Sequence, residues 1–211
     1  MIEKTVTLHA PPATLDATLL RPLHEARGLV LVAHGSGSNR HSPRNRFVAE
    51  ALVAGGLVTL LVDLLTEPEA RRDAGELSVE HLACRLEAAI AWAATDPHLA
   101  ELPVGLYGAS TGAAVALIAA ARQPAVRAVV SRGGRIDLAD PWLPGVRVPV
   151  LLLVGGEDLP VLTLTRQALG RFGGDARLEV IPGASHLFPE PGALERVALH
   201  ARDWFLEHLN R

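Results

Sequence analysis

The sequence predicts an α/β fold: a doubly wound, mainly parallel sheet with helices on both faces. Short strand-like runs alternate with helical patterns through most of the chain, as expected when helices connect parallel strands. The run GLVLVAHG at 28–35 is continuously apolar, which is typical of a strand buried on both faces. Active sites in such folds lie at the carboxyl ends of the strands.

The first two segments, 5–9 and 14–20, alternate apolar and polar residues around two prolines and predict an antiparallel edge hairpin. We expect no linker or repeat, hence a single domain over residues 1–211. A charged loop is predicted through Gly75. The remaining predicted strands are 28–35, 57–63, 102–107, 126–131, 148–154 and 177–181, and the predicted helices are one around 47–52 that ends at 55–56, then 78–95, 113–122, 160–171 and 191–209.

Composition narrows the function classes. With 211 residues, 49% of them hydrophobic, the chain can bury a substantial core, and its formal charge of -3 with scattered arginines gives no nucleic-acid footprint. No apolar run approaches the roughly 20 residues of a membrane span, and the N-terminus has no signal-peptide pattern. We therefore expect a cytoplasmic protein without nucleic-acid or membrane partners. Cys84 has no second cysteine to pair with and is expected to be buried.

The stretch GASTG at 108–112 is the main functional signal. It joins a predicted strand to a predicted helix and holds Ser110 between two glycines, the pattern of a nucleophile elbow. Such a turn exposes the serine hydroxyl at a helix N-terminus, where backbone N–H groups favour an oxyanion. Ser110 is thus the candidate nucleophile.

A serine nucleophile needs a base and an acid that orients the base. The histidines downstream of Ser110 are His186, His200 and His208, and only His186 follows a predicted strand rather than lying in the terminal helix. Asp158, in the loop GGED after the strand 148–154, is the favoured acid. Glu157 and Asp137 remain alternatives.

The oxyanion hole and the substrate residues are assigned from the loops at the same edge. We expect the backbone N–H groups of Thr111 and Ser36 to bind the oxyanion, with Gly37 as the alternative to Ser36. His34 is expected to orient this loop through hydrogen bonds. The candidate substrate residues are Arg40, His41 and Arg132 for an anionic group, with Arg44 a further possibility, and Trp142 and Leu187 for an acyl pocket.

Together the motifs HGSGSNRHSPRN (34–45), GASTG (108–112), SRGGRIDLAD (131–140), VGGEDLPV (154–161) and GASHLF (183–188) resemble the α/β-hydrolase superfamily, and within it the dienelactone-hydrolase-like group. The resemblance implies hydrolysis of esters or related acyl compounds without a cofactor. Dienelactone hydrolases proper carry a cysteine at the elbow, whereas this chain has Ser110, which indicates a serine esterase. Only about 16 residues, 132–147, separate the predicted strand after the elbow helix from the next predicted strand. This length leaves no room for a lid domain.

The favoured function is therefore a serine ester hydrolase acting on small or accessible esters through an acyl-enzyme. Acyl transfer and thioester cleavage remain open because they use the same groups, and a non-catalytic ligand-binding protein is a third possibility. No metal-ligand spacing is present, so the sequence requires no metal. Neither the natural ester nor the oligomeric state follows from the sequence.

Overall fold

A computed structural model describes residues 1–71 and 77–209. The strands are β1 (Ile2–Ala10), β2 (Ala13–Arg21), β3 (Leu29–Ala33), β4 (Val58–Val62), β5 (Val104–Ala109), β6 (Val126–Arg132), β7 (Val150–Gly155) and β8 (Ala176–Ile181). They form one sheet in the order β1-β2-β4-β3-β5-β6-β7-β8, in which β2 is antiparallel to its neighbours β1 and β4, and β3 to β8 are mutually parallel. The predicted mainly parallel sheet is confirmed.

Helices cover both faces of the sheet. They are α1 (Pro43–Ala54), α2 (Glu67–Ala70), α3 (Val79–Ala93), α4 (Thr111–Arg122), α5 (Leu159–Ala168) and α6 (Ala193–His208). Alternate residues of the central strands pack on opposite faces: Leu31 belongs to the core under α3 and α4, and Val30 to the core under α1 and α6. Burial on both faces is the physical reason that these strands are continuously apolar.

Two segments were not predicted. A 3-10 helix spans Ile136–Gly145, where Pro141 and Pro144 interrupt any α-helical pattern, and it packs on α4 through buried Ile136 and Leu143. The short α2 is capped by Thr66, which forms a capping box with Glu69. The predicted charged loop through Gly75 lies partly outside the described residues.

The prediction that Cys84 is buried is wrong. Its side chain is exposed, and the neighbouring Arg85 is buried instead, at 5% exposure. Arg85 is held by Glu69 and by the carbonyl oxygen of Leu64 at 2.7 Å. A buried guanidinium with these partners was not visible in the helical pattern, because both partners come from the segment after β4.

No helix in the described part of the chain is long and apolar enough to cross a membrane.

The loops that carry the candidate site lie at the carboxyl edge of the parallel strands. Ser110 follows β5, Asp158 follows β7 and His186 follows β8.

Candidate active site

Ser110 occupies a strained turn between β5 and α4. Its backbone has φ 53° and ψ -122°, a conformation that a residue with a side chain rarely adopts. A Cβ at Gly108 would collide with the carbonyl oxygen of Gly112, and a Cβ at Gly112 would collide with that of Ala33. Both glycines are therefore required by close backbone approach, as the elbow pattern predicts.

The loop after β6 holds the turn in place. The N–H of Ser110 donates to the carbonyl oxygen of Arg132 at 3.0 Å, and the N–H of Arg135 donates to the carbonyl oxygen of Ser110 at 3.1 Å. In the same loop Gly133 faces the His186 ring, because a Cβ on Gly133 would lie 3.4 Å from His186 Nδ1. Residues 132–135 thus contact both the Ser110 backbone and the His186 imidazole.

Asp158 and His186 form a short hydrogen bond: His186 Nδ1 lies 2.6 Å from Asp158 Oδ2. The Asp158 side chain is 9% exposed and that of His186 is 38% exposed, so the carboxylate lies beneath an accessible ring. A carboxylate bonded to Nδ1 leaves Nε2 as the position that can exchange a proton with a nucleophile.

The two alternative acids are placed elsewhere. Glu157 is exposed. Asp137 binds Arg135 through both carboxylate oxygens, and this interaction lowers the pKa of Asp137 below its usual value. Of the three carboxylates considered from the sequence, Asp158 is the one that contacts His186.

The loop that carries His186 is fixed at both ends of the motif GASHLF. The N–H of Glu157 donates to the carbonyl oxygen of Ala184 at 2.9 Å, which joins the loop to the end of β7. Phe188 is 2% exposed and adopts φ 55°, so a buried aromatic ring anchors a strained backbone two residues after the histidine. This anchoring keeps the His186 ring at the sheet edge.

The loop after β3 passes directly beside the elbow. A Cβ at Gly35 would lie 3.0 Å from Ser110 Cβ. The N–H of Ser36, predicted as an oxyanion donor, donates to Thr111 Oγ1 at 2.8 Å, and the two hydroxyl oxygens are 3.0 Å apart. In this conformation the Ser36 N–H is therefore occupied by the protein's own hydroxyl, and it must exchange that acceptor before it can bind an oxyanion.

His34 orients this loop, as its position in the sequence suggests. Its Nδ1 lies 2.9 Å from the carbonyl oxygen of Gly35, and its Nε2 accepts the N–H of Leu64 at 3.0 Å. This pattern requires the neutral ring with the proton on Nδ1. Burial lowers the pKa of His34, against smaller opposing contributions from the Gly35 carbonyl and Asp63.

Arg40 does not present a free guanidinium to a substrate. Asp63 accepts hydrogen bonds from both the backbone N–H and the guanidinium of Arg40, and Asp16 lies 3.7 Å from Arg40 Nη2. Arg40 and His41 line a cavity of about 440 Å³ on the β4 side of the loop. Because Asp63 and Asp16 already pair with its guanidinium, Arg40 does not offer a free charge to an anionic substrate, in contrast to the prediction from the sequence.

The other predicted substrate residues have separate locations. Trp142 packs against the guanidinium of Arg122, 4.1 Å from its ring centroid. Arg122 ends α4, about 18 Å along the helix from Ser110 at 1.5 Å per residue, so the prediction that Trp142 lines the acyl pocket is wrong. Leu187 is 45% exposed beside His186.

Arg132 is buried at 6% exposure on the face of the sheet that carries α1 and α6. Its Nη2 donates to Asn45 Oδ1 at 3.3 Å, and its Nη1 has no partner. Burial raises the pKa of Tyr107, and the charge of Arg132 opposes that rise, which indicates that the two side chains interact.

Sequence reasoning missed three contributors: Asp63, Gly133 and the hydroxyl of Thr111. Asp63 had a usable signal, since it is the only acid at the end of the predicted strand 57–63. The other two had none, because their roles depend on loops that meet only in the folded chain.

The sheet order, the elbow after β5 and the carboxylate-bound histidine after β8 define a protein of the α/β-hydrolase superfamily. The chain belongs to the dienelactone hydrolase family, whose profile matches residues 15–207.

Two solved structures are similar to this chain. The dienelactone hydrolase of Anabaena variabilis is 48% identical, with a TM-score of 0.95 over 99% of both chains. Est1E of Butyrivibrio proteoclasticus is 16% identical, with a TM-score of 0.82 over 96% of this chain and 98% of Est1E, and that likeness concerns the fold alone.

Among curated sequences, a Mycobacterium tuberculosis protein with the provisional name phosphoribosyl transferase is 52% identical over 208 residues. The match covers 98% of this chain and 47% of that protein. The chain therefore spans about half the length of this relative.

Proposed function

We propose that this protein is a serine ester hydrolase in which Ser110 attacks the acyl carbonyl, His186 acts as general base and acid, and Asp158 orients His186. The observation that carries the proposal is the 2.6 Å bond between His186 Nδ1 and Asp158 Oδ2, at the same edge of the sheet as the half-buried Ser110. A serine hydroxyl at neutral pH needs such a base, and the imidazole needs such a carboxylate.

The reaction proceeds in two steps. His186 Nε2 takes the Ser110 proton as Oγ forms a bond to the carbonyl carbon, and it returns that proton to the departing alcohol. Water then attacks the acyl-enzyme with His186 again as base, releasing the acid and restoring Ser110. Asp158 stays ionised and stabilises the imidazolium in both steps.

The oxyanion that forms in each step would bind the Thr111 N–H at the start of α4, where the helix dipole also favours negative charge. The Ser36 N–H would be the second donor after exchanging Thr111 Oγ1 for the oxyanion. Two further side chains would contact parts of the ester distant from the carbonyl. These are Leu187, which is exposed and follows His186 in the chain, and His41, which lines the cavity of about 440 Å³ beside the loop after β3.

A fluorophosphonate probe tests the nucleophile. We expect mass spectrometry to find the adduct on Ser110 and we expect Ser110→Ala to abolish labelling and p-nitrophenyl acetate hydrolysis. Ser78→Asn, which changes another serine and preserves the N-cap of α3, should label and turn over as the native protein does. An adduct elsewhere, or full activity in Ser110→Ala, would refute the assignment.

The acceptor of the acyl group is tested separately. Hydrolysis predicts free acid as the product even when methanol or glycerol competes with water. Predominant formation of the new ester would instead assign the protein as an acyltransferase, and preferential turnover of thioesters would assign it as a thioesterase. We do not extend the phosphoribosyl transferase name to this chain, because the match covers less than half of that relative.

A further inference from the structure

The cavity beside the loop after β3, which we call the β4-side cavity, is lined almost entirely by polar side chains. Its volume of about 440 Å³ lies within the range of roughly 300 to 1,000 Å³ that is typical of small-molecule sites. Among the described residues that line it, only Leu65 and Ala70 are apolar. Ligand pockets are usually mostly hydrophobic, so this lining indicates a hydrophilic ligand group rather than an acyl chain.

Hydrogen bonds of the backbone hold the wall of the β4-side cavity in place. The N–H of Arg40 donates to Asp63 Oδ1 at 2.6 Å, and the N–H of Asp63 donates to the carbonyl oxygen of Asp16 at 2.9 Å. These bonds join the loop after β3 to the end of β4 and to β2. The polar groups of the wall are therefore positioned before a ligand arrives, which reduces the entropy lost on binding.

The charged groups of the wall are already paired with one another or with a neighbour. The guanidinium of Arg40 binds Asp63 and lies 3.7 Å from Asp16. Glu67 forms an ion pair with Arg71. A charged ligand would have to compete with these pairs, and an anion would also meet more carboxylates than guanidinium groups. The wall therefore favours a neutral ligand.

Several uncharged groups of the wall are free to bind such a ligand. The side chains of Thr14, Ser38 and His41 make no hydrogen bond to any other residue in the described part of the chain. Asn39 Oδ1 accepts the N–H of His41 at 2.9 Å, which leaves the amide N–H groups of Asn39 as donors. Hydroxyl, amide and imidazole groups together supply donors and acceptors, and a ligand hydroxyl can serve as either. This set matches a ligand group that carries several hydroxyls.

The β4-side cavity lies close to the proposed nucleophile. His34 lines the cavity, and the next residue, Gly35, lies beside the elbow, since a Cβ on Gly35 would be 3.0 Å from Ser110 Cβ. Strand β4 is two strands away from β5 in the order β4-β3-β5, which corresponds to about 10 Å at the usual spacing of strands. An ester with its carbonyl at Ser110 and a hydroxyl-bearing group about 10 Å away would therefore reach both positions.

We propose that the β4-side cavity binds a neutral polyhydroxyl group of the substrate, so that the preferred esters carry a sugar or a similar polyol at this distance from the acyl carbonyl. The proposal rests on the esterase function proposed above for the word substrate, whereas sugar binding to the cavity does not require Ser110. Thr14, Ser38 and Asn39 exchange hydrogen bonds with water for hydrogen bonds with the polyol. A site that binds hydroxyl groups in this way disfavours an analogue that lacks them.

The first experiment measures sugar binding without catalysis. The glucoside 4-hydroxyphenyl β-D-glucopyranoside is titrated into Ser110→Ala, and binding is followed by saturation-transfer difference NMR. We expect saturable signals on the protons of the glucose ring. Absence of these signals would overturn the proposal, whether or not Ser110 is the nucleophile.

Two further substitutions in the Ser110→Ala protein assign the binding to the β4-side cavity. Ala70→Phe adds a bulky side chain to a residue that lines the cavity, and Thr14→Val removes one hydroxyl at nearly constant shape. We expect each to weaken the affinity for the glucoside about 3-fold or more, as loss of one hydrogen bond predicts for Thr14→Val. Thr5→Val makes the same change at an exposed position of β1 outside the cavity and should bind as its parent does.

Thermal denaturation checks that each of these variants is folded. Unchanged affinity in both Ala70→Phe and Thr14→Val would refute the location.

The second experiment tests whether the bound sugar belongs to the substrate. The ester 4-acetoxyphenyl β-D-glucopyranoside carries glucose on the alcohol side, and the 4-nitrophenyl ester of 4-(β-D-glucopyranosyloxy)benzoic acid carries it on the acyl side. Each is compared with its tetrahydropyranyl analogue, which keeps the ring and lacks the hydroxyls. We expect one glucoside to have a kcat/KM about 10-fold or more above its analogue, as two hydrogen bonds of ordinary strength provide. Ala70→Phe should lower this ratio, and Thr5→Val should retain it.

Charged sugars test the chemical class of the ligand. The glucuronide and the glucosaminide that correspond to the preferred glucoside should both have a lower kcat/KM, because each introduces a charge beside ion pairs that are already complete. A preference for either charged sugar over the glucoside would overturn the assignment to a neutral polyol.

Sugar binding without a preference in either ester pair would overturn the substrate assignment. Loss of fluorophosphonate labelling in the native protein would refute the proposed nucleophile and leave the measurement of sugar binding intact. The two proposals therefore fail in different experiments.

Discussion

The backbone N–H of Ser36 donates a 2.8 Å hydrogen bond to Thr111 Oγ1, joining the loop after β3 to the first residue of α4. The two residues are 75 positions apart in the chain, and the bond crosses directly beside Ser110. The residue after the nucleophile thus holds the loop through its side chain, in addition to the proposed role of its backbone N–H.

Replacing Thr111 tests this contact. Thr111→Val keeps the side-chain shape and removes Oγ1, so the β3 loop loses two hydrogen bonds, each worth about 0.5 to 1.5 kcal/mol. We expect kcat for p-nitrophenyl acetate to fall about 2- to 10-fold with a smaller change in KM. Thr111→Ser keeps the hydroxyl and should stay within about twofold of the native rate. A faster Thr111→Val enzyme would instead show that the hydroxyl competes with the substrate for the Ser36 N–H.

The acid that orients His186 is tested by amide substitution. Asp158→Asn preserves the shape but removes the negative charge that stabilises the imidazolium, and we expect kcat to fall about 10³- to 10⁴-fold. Glu157→Gln, one residue earlier and exposed, should leave kcat unchanged. A large loss in Asp137→Asn with retained activity in Asp158→Asn would reverse the assignment.

Stability should depend on pH through His34. Burial lowers the pKa of His34 from 6.5, so below about pH 6.5 the unfolded chain binds protons that the folded protein does not. The free energy of unfolding should therefore fall as the pH decreases from about 6.5 toward the lowered pKa. Urea denaturation at pH 8 and pH 5.5 measures this difference.

The matched variants are His34→Gln and His41→Gln. The first should reduce the difference in unfolding free energy between the two pH values, because the buried titrating ring is gone. The second removes an exposed histidine of the same loop and should retain it. An unchanged difference in His34→Gln would assign the pH dependence to another group.

The ion pair between Glu69 and Arg85 should stabilise the fold, because Arg85 is buried and Glu69 supplies its counter-charge. Glu69→Gln leaves the 5% exposed guanidinium of Arg85 without its carboxylate, and we expect a loss of about 2 kcal/mol in the free energy of unfolding at pH 7. Glu67→Gln, in the same short helix, breaks an ion pair in which both side chains are 76% exposed and should cost less than about 0.5 kcal/mol.

The contribution of Glu69 to the free energy of unfolding should depend on pH in the acidic range. Hydrogen bonding to Arg85, against the opposing effect of burial, lowers the pKa of Glu69 from 4.5 to about 2. Its stabilisation should be complete above pH 4.5 and decline as the pH falls toward 2, because the folded protein then resists a proton that the unfolded chain accepts. Equal acid sensitivity of native protein and Glu69→Gln, measured by urea denaturation, would contradict this.

The sequence predicted the structure correctly where a single short segment contains the whole pattern. The apolar runs that became β3 and β4 were predicted within a few residues, because strands buried on both faces must be apolar throughout. The elbow was recognisable from its five-residue pattern, although only Gly108 is required by contacts within the turn, with Gly112 and Ala113, whereas Gly112 is required by the close approach of Ala33 at the end of β3.

Side-chain partners across the fold were not predictable in this way. The sequence alone determined the class of fold, the turn at Ser110 and the loops that carry Asp158 and His186. Only the tertiary structure decided that Arg40 is neutralised by Asp63, that Trp142 packs at the far end of α4, and that Arg132 is buried without a counter-charge. The physical reason is that burial and pairing of a long side chain depend on residues brought alongside it by other strands and helices, and these contacts leave no periodic pattern in the chain.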